Sequence, residues 1–314
     1  MVAIAVFPGQ GAQAVGMGRA LCDAYPAAKA VFDEVDEALG EKLSALIFDG
    51  PIETLTLTAN AQPALMATSL AAVRAAEAAT GKPLAQMVDY VAGHSLGEYS
   101  ALAAAGTLTI GDAARLLRLR GQAMQAAVAP GAGAMAALLG VTAHVAQEIA
   151  QAAAEDGGVC ELANDNGEGQ AVVSGDKRAV ERALEIAKEK GAKRSIMLQV
   201  SAPFHCALMQ PAADKLAEAI ARTHFSAPQI TLIANVTAEP VRDPGTIKDL
   251  LVKQVTARVR WRESMLTMHR LGVTKVVEFG AGKVLSGLAK RGVEGATVQN
   301  VQEPADLAAL SGAA

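Results

Sequence analysis

The stretch Val88-Asp89-Tyr90-Val91-Ala92-Gly93-His94-Ser95-Leu96-Gly97-Glu98-Tyr99-Ser100-Ala101-Leu102-Ala103-Ala104-Ala105 decides the fold. Residues 88–92 read as a strand, and the segment from about 96 to 105 reads as a helix. Between them Gly93-His94-Ser95-Leu96-Gly97 has the G-x-S-x-G pattern. A strand-to-helix turn this tight presents the serine hydroxyl at the edge of a sheet, and flanking glycines remove side chains that would clash there. The helix start also offers free N–H groups toward negative charge on a reacting oxygen. A glycine-rich turn that happens to hold a serine is the alternative. A strand before it and a helix after it favour Ser95 as a nucleophile.

Working outward, short β-like runs alternate with longer segments of helical period. Strands are expected at 2–7, 88–92, 230–235 and 275–279. Helices are expected at 28–39, from Pro63 to about 79, at about 96–105, at 112–128 and at 208–222. This alternation predicts an α/β domain with a largely parallel sheet. After Pro130-Gly131-Ala132-Gly133 the texture changes. Strands at 134–141, 159–163, 170–174 and 194–200 alternate with helices at 143–154 and 179–190. That β-α-β-β-α-β order is the ferredoxin-like arrangement. The expected organisation is therefore residues 1–129 with 199–314 as the large domain, and 130–198 as a small insert.

The 314 residues are 51% hydrophobic but only 3% aromatic, so the core must rest on Ala, Val, Leu, Ile and Met. Chain disorder is excluded, because this composition has ample apolar surface to bury. The net charge of −4 argues against nucleic-acid binding, which would need an excess of Lys and Arg. The charge is uneven. Residues 253–291 carry nine Lys and Arg against Glu263 and Glu278, a local +7 within a chain that is otherwise −11. That segment is either an ordinary solvated surface or a docking face for an anionic partner. Cys22, Cys160 and Cys206 show no metal-ligand spacing and fit a reducing compartment. The opening apolar run is short, has no basic leader and breaks at Pro8-Gly9, so it reads as a first strand and not a signal peptide. No apolar stretch reaches the roughly 20 residues of a membrane helix. A cytoplasmic monomer with no metal, cofactor, nucleic acid or membrane partner is expected.

A serine nucleophile needs a base. His94 directly precedes Ser95, and the turn is expected to aim it elsewhere. His144, His224 and His269 lie in helical or helix-edge segments with polar neighbours and read as surface groups. His205 lies in Val200-Ser201-Ala202-Pro203-Phe204-His205-Cys206, a loop after a strand where Pro203 disfavours helix. Spacing makes it a candidate base without deciding the matter. No acid between Ser95 and His205 stands out at the end of a core strand. Asp165 is the only tempting third member, and the alternative is a dyad whose imidazole is oriented by a backbone carbonyl. In the 112–128 helix, Ala113, Leu116, Leu117, Met124 and Ala127 form one apolar face, and Arg120 lies on it. Arg115, Arg118, Gln122 and Gln125 take the other side. A guanidinium aimed inward needs a partner. Either an internal Asp or Glu supplies it, or the carboxylate of a substrate does.

Two glycine-rich turns invite nucleotide readings. Gly9-Gln10-Gly11 follows the first strand, but the acidic residues 20 or so positions on, Asp33, Glu34 and Asp36, fall inside a helical segment. A dinucleotide site wants that acid at the end of a second strand. A backbone N–H set beside Ser95, completing an oxyanion hole, is a better use of these glycines. Gly280-Ala281-Gly282-Lys283-Val284 lacks the spacing and the Ser or Thr of a phosphate-binding loop.

Val6-Phe7-Pro8-Gly9-Gln10-Gly11-Ala12-Gln13, Gln62-Pro63-Ala64, residues 93–101 above, Arg120-Gly121 and His205-Cys206-Ala207-Leu208-Met209 occur in that order. Glu278-Phe279-Gly280-Ala281-Gly282-Lys283-Val284-Leu285 follows near the end. This pattern resembles the malonyl-CoA:acyl carrier protein transacylase family over nearly the whole chain. The resemblance implies an α/β-hydrolase-like large domain with a ferredoxin-like insert. It implies transfer of malonyl from malonyl-CoA to Ser95, then to the phosphopantetheine thiol of an acidic acyl carrier protein. It implies His205 as base, the N–H groups of Gln10 and Leu96 as oxyanion hole, and Arg120 on the malonyl carboxylate. By a looser match, Gln254 would orient His205 through its backbone carbonyl. His94 and Phe204 fall among the substrate-side positions, and Leu96 with Phe204 resembles the malonyl-selecting version. Ala12 stands where the family often has Ser, and Asn60 where Gln is common. A stand-alone polyketide-pathway acyltransferase, a serine esterase or thioesterase, and an inactive carrier-docking scaffold remain alternatives.

Overall fold

Val2-Ala3-Ile4-Ala5-Val6-Phe7 has no polar side chain to turn toward water, so it forms a strand buried on both faces, β1 (Val2–Phe7). A computed structural model describes residues 1–167 and 169–311. Residue 168 of the expected insert and residues 312–314 of the expected large domain lie outside the described residues. The remaining strands are β2 (Tyr90–Gly93), β3 (Gly133–Leu139), β4 (Cys160–Gly167), β5 (Gln170–Asp176), β6 (Arg194–Met197), β7 (Thr231–Ile233), β8 (Pro240–Val241), β9 (Val273–Phe279) and β10 (Thr297–Val301).

The first sheet has the order β10-β9-β1-β2-β7-β8. Its pairings are parallel except β7 with β8, and β1 meets β2 in the register Phe7 to Gly93. Successive side chains of a strand face opposite ways, so β1 feeds two cores. Ala3, Ala5 and Phe7 join the larger one, which includes Leu65, Ala72 and Leu102 from the flanking helices. Ile4 and Val6 join the other, with Trp261, Met265 and Leu288. Helices therefore cover both faces, as an α/β sheet requires. Few rings are needed, because Ala and Leu at helical spacing fill most of this interior.

The second sheet, order β4-β5-β3-β6, is antiparallel throughout. The helices Ala143–Ala153 and Lys177–Glu189 complete the ferredoxin-like β-α-β-β-α-β order. Ala136, Leu138 and Val173 form a separate core with Ile149 and Val180 of these helices. On the opposite side Met135 and Val172 pack into the large core instead. Asn164 bridges in parallel to Val259, tying β4 to the chain before the Trp261–Arg270 helix. A cleft between the two sheets results.

Several boundaries differ from the sequence expectation. The helix expected to begin at Pro63 spans Thr58–Thr80, with the proline inside it. Proline favours the first helical position, hence the expectation. It cannot bond the carbonyl four residues back, and that carbonyl, Ala59 O, instead accepts from Arg118 Nη1 at 2.6 Å. The strand expected over 194–200 stops at Met197, and that over 230–235 is only Thr231–Ile233. Strand β10 was not foreseen, because its polar Gln299 and Asn300 sit on the sheet's outer edge. Helices Arg19–Ala24, Leu43–Asp49, Pro244–Gln254, Trp261–Arg270 and Val284–Gly292 were likewise not foreseen.

Candidate active site

Ser95 follows β2 and precedes the Gly97–Ala104 helix, with φ of 53°, a left-handed value that costs a serine strain. The turn closes so tightly that glycine is required on both sides. A Cβ on Gly93 would lie 1.9 Å from the Gly97 carbonyl, and one on Gly97 would lie 2.3 Å from the Phe7 oxygen. The strained serine is held from behind. Its N–H donates to Asn235 Oδ1 at 2.8 Å, and Asn235 Nδ2 donates to Gly93 O at 2.6 Å.

His205 also sits at positive φ, 60°, which turns its ring toward the elbow. Its Nδ1 lies 2.9 Å from Gln254 O and 3.1 Å from Ala257 O. Carbonyl oxygens only accept, so Nδ1 carries the proton and Nε2 presents its lone pair. Ser95 Oγ donates to that Nε2 across 2.8 Å. Burial, with the nearby Arg120 charge, holds the imidazole down at about 3. A neutral ring of this kind can accept a hydroxyl proton. Asp165 is not part of the arrangement. It is buried on β4, where its Oδ2 accepts from Arg262 Nε at 2.9 Å, so the tempting acid belongs to a structural ion pair. The imidazole is oriented by carbonyls, the alternative left open by the sequence.

Arg120 points inward as its place on the apolar stripe predicts, and it is 2% exposed. No carboxylate lies within ion-pair distance of it among the described residues. Its Nη1 donates to Gln62 Oε1 at 2.8 Å, and its Nη2 donates to Gln254 Oε1 at 2.9 Å and to Ser95 Oγ at 3.1 Å. Its Nε has no hydrogen-bond partner among the described residues although it is buried. Tyr99 lies against it, ring centroid 5.9 Å from the guanidinium carbon. An internal acid is thus excluded as the partner, and a cation with a spare donor faces a cavity of about 330 Å³.

That cavity brings together Gln10, His94, Ser95, Leu96, Arg120, Phe204 and His205. The backbone N–H groups of Gln10 and Leu96 find no acceptor among the described residues. The Gln10 side chain is tied down, its Nε2 donating to Thr58 Oγ1 at 3.1 Å. His94 turns away from the serine: its Nε2 lies 2.7 Å from Asn166 Oδ1 and its ring packs on Trp261. Burial lowers its basicity too. Met124, Met135, Val172 and Leu198 form the apolar wall. Among the described residues no three of His, Cys, Asp and Glu converge as a metal set. In the late glycine turn, the N–H groups opening the Val284–Gly292 helix are taken by Glu278, at 3.1 Å from Leu285 and 2.7 Å from Ser286.

Three residues of the site carried no role in the sequence reading: Gln62, Asn235 and Glu98. Gln62 lay inside a quoted motif and Asn235 at the end of an expected strand. Glu98 is an acid in an otherwise apolar helix, which was the available signal.

The profile of the family described as acyl transferase domain matches residues 4–308. A malonyl CoA-acyl carrier protein transacylase of Bacillus subtilis (strain 168) is 48% identical over 286 residues, 91% of this chain and 89% of that protein. The crystal structure of acyl-carrier-protein-S-malonyltransferase from Bartonella henselae is similar at a TM-score of 0.95 and 53% identity, covering 98% of each chain. A chain of the solved complex between a type II PKS acyl-carrier protein and its malonyl-transacylase gives a TM-score of 0.94 at 40% identity, over 99% of each chain.

Proposed function

The chain belongs to the acyl transferase domain family, and from that membership we infer that it transfers malonyl from malonyl-CoA to the phosphopantetheine thiol of an acyl carrier protein. Ser95 Oγ attacks the thioester carbonyl while its proton passes to His205 Nε2. The oxyanion that forms is held by the N–H groups of Gln10 and Leu96. Its collapse breaks the C–S bond, and the departing coenzyme A sulfur takes the proton from His205. Malonyl is now an ester of Ser95. The carrier thiol then gives His205 its proton, attacks the ester, and Ser95 leaves with that proton. Gln254 O keeps the imidazole in the required tautomer throughout, and Phe204 and His94 bound the acyl pocket.

The observation that carries this reading is Arg120, a buried guanidinium without a carboxylate, bonded to the nucleophile's own oxygen. A malonyl carboxylate completes it, often bidentately. An acetyl group leaves it unpaired, at a cost of about 3–5 kcal/mol. We place the unit boundaries at residues 1–129 with 199–314 and at 130–198. The second core supports this, since its buried members all lie between Ala134 and Ala187. We also place the reaction in the cytoplasm, where the free Cys22, Cys160 and Cys206 stay reduced. Among the described residues no helix is long and apolar enough to cross a membrane. The test is transfer to a phosphopantetheinylated carrier from malonyl-, methylmalonyl- and acetyl-CoA, read by intact mass. The expected product is malonyl-carrier, with acetyl-carrier at least about a hundredfold slower. Free malonate in place of malonyl-carrier would make the protein a thioesterase.

A further inference from the structure

We propose that Glu98 is a positioning residue that holds Arg120 on the acyl pocket through the carboxamide of Gln254. The proposal rests on the reading that Arg120 receives the malonyl carboxylate. Glu98 opens the Gly97–Ala104 helix three residues after the nucleophile and is 1% exposed. Among the described residues it has no Lys or Arg within ion-pair distance. A buried carboxylate and a buried guanidinium thus face each other with one side chain between them. Gln254 Nε2 donates to Glu98 Oε2 at 2.5 Å, and Gln254 Oε1 accepts from Arg120 Nη2 at 2.9 Å.

Gln254 Nε2 also donates to Ser95 O at 3.0 Å, so the carboxylate and that carbonyl together orient the amide. An ionised Glu98 has only acceptor oxygens, so the amide must turn its NH₂ toward it. The amide oxygen is then forced toward Arg120 and fixes the guanidinium. A Glu98 carrying a proton would donate instead. Gln254 Oε1 can take that proton only with the amide turned over, which sets Oε1 against Ser95 O and NH₂ against NH₂ at Arg120. The guanidinium would lose its acceptor and its aim. Because Gln254 O also holds His205, the relay acts beside the base without touching it. A brace for the elbow is the competing role, since Asn235 N donates to Glu98 Oε1 at 3.3 Å. Bracing would serve every acyl group alike, whereas holding Arg120 matters only to an acyl group with a carboxylate.

Burial lifts the Glu98 carboxyl to about 7, against the pull of Gln254, Asn235 N and the Arg120 charge. The charged or titratable groups facing it are Arg120 from the Ile110–Ala126 helix and Tyr99 on its own helix. His205, beyond Gln254, is neutral near pH 7. The ionised, orienting form of Glu98 therefore fades as the pH falls through about 7.

The experiment measures single-turnover loading of Ser95 by malonyl-CoA and by acetyl-CoA, with intact mass as the readout, between about pH 5.5 and about pH 8. The substrate carboxylate, near about 4, stays ionised across that range. At the upper pH, Glu98→Gln is expected to slow malonyl loading about tenfold to a hundredfold and acetyl loading by less than about threefold. The wild-type malonyl-to-acetyl ratio should fall as the pH drops through about 7, while the Glu98→Gln ratio stays flat. Equal slowing of both thioesters, or of neither, overturns the proposal. If Glu98→Gln does not fold, the wild-type ratio decides alone, and a flat ratio overturns it. Wild-type protein that never loads malonyl on Ser95 would instead refute the function on which the proposal rests.

Discussion

In the proposed transfer, acyl choice turns on Arg120. Its fork is held by Gln62, Gln254 and Ser95 Oγ, so removing it deletes the cation without opening the fold to a new acid. Arg120→Ala should slow malonyl loading by about a hundredfold or more, matching about 3–5 kcal/mol for an unpaired buried charge. Acetyl loading should change far less, and equal losses for both thioesters would count against the assignment. His205 carries a second prediction. A base works in its neutral form, which predominates above its pKa, and that pKa is held near about 3. For acetyl-CoA, kcat/KM should therefore show no acid limb near the usual histidine value of about 6.5. A fall centred there would mean that the ring titrates normally. Ser95, His205 and Arg120 were legible in the sequence because each is a reactive type in a telling place: an elbow, a loop after a strand, an apolar stripe. Gln254 and Phe204 came only from resemblance, and Asn235 and Glu98 from neither. The contribution of Gln254, Asn235 and Glu98 is an orientation across 130 to 160 positions of chain, which no local pattern encodes.

At the scale of elements, the elbow joins β2 to the Gly97–Ala104 helix with no room for a side chain at either glycine. Gly97→Ala drives a Cβ against the Phe7 carbonyl, so the chain must shift where Ser95 is aimed. A destabilisation of about 1–3 kcal/mol is expected from the overpacking, seen as a lower urea midpoint. Loading should fall by about a hundredfold in the protein that remains folded, because a shift of about 1 Å misplaces the nucleophile. Full loading by folded Gly97→Ala would show that the elbow tolerates movement. Both the strand and helix here were readable, because period and glycine punctuation agree. The Thr58–Thr80 helix was readable only in part. Its proline marked a start in the sequence, whereas Arg118 satisfies the carbonyl that the proline leaves free. Edge strand β10 lacks the continuous apolar run that betrays β1.

For the molecule as a whole, the site lies where a mostly parallel sheet and an antiparallel one face each other. Neither sheet alone carries it: Ser95 follows β2 of the first sheet and Arg120 lies on the Ile110–Ala126 helix, while Met135 and Val172 wall the pocket from the second sheet. The basic segment is also sharpened. Arg258 and Arg260 pair with Glu263, Arg262 with Asp165, and Arg270 with Glu239. Lys253, Lys283, Lys290 and Arg291 remain exposed without an ion pair among the described residues. If these meet an acidic carrier, Lys283→Glu with Lys290→Glu should raise the KM for carrier and leave loading from malonyl-CoA unchanged. An unmoved carrier KM would reduce the segment to a solvated surface.

The most direct test of the account is to mix the protein with malonyl-CoA, digest it, and locate the added mass. The malonyl ester should sit on Ser95, disappear when a phosphopantetheinylated carrier is added, and be absent from Ser95→Ala. Malonyl on another residue, or labelling that survives Ser95→Ala, would contradict it.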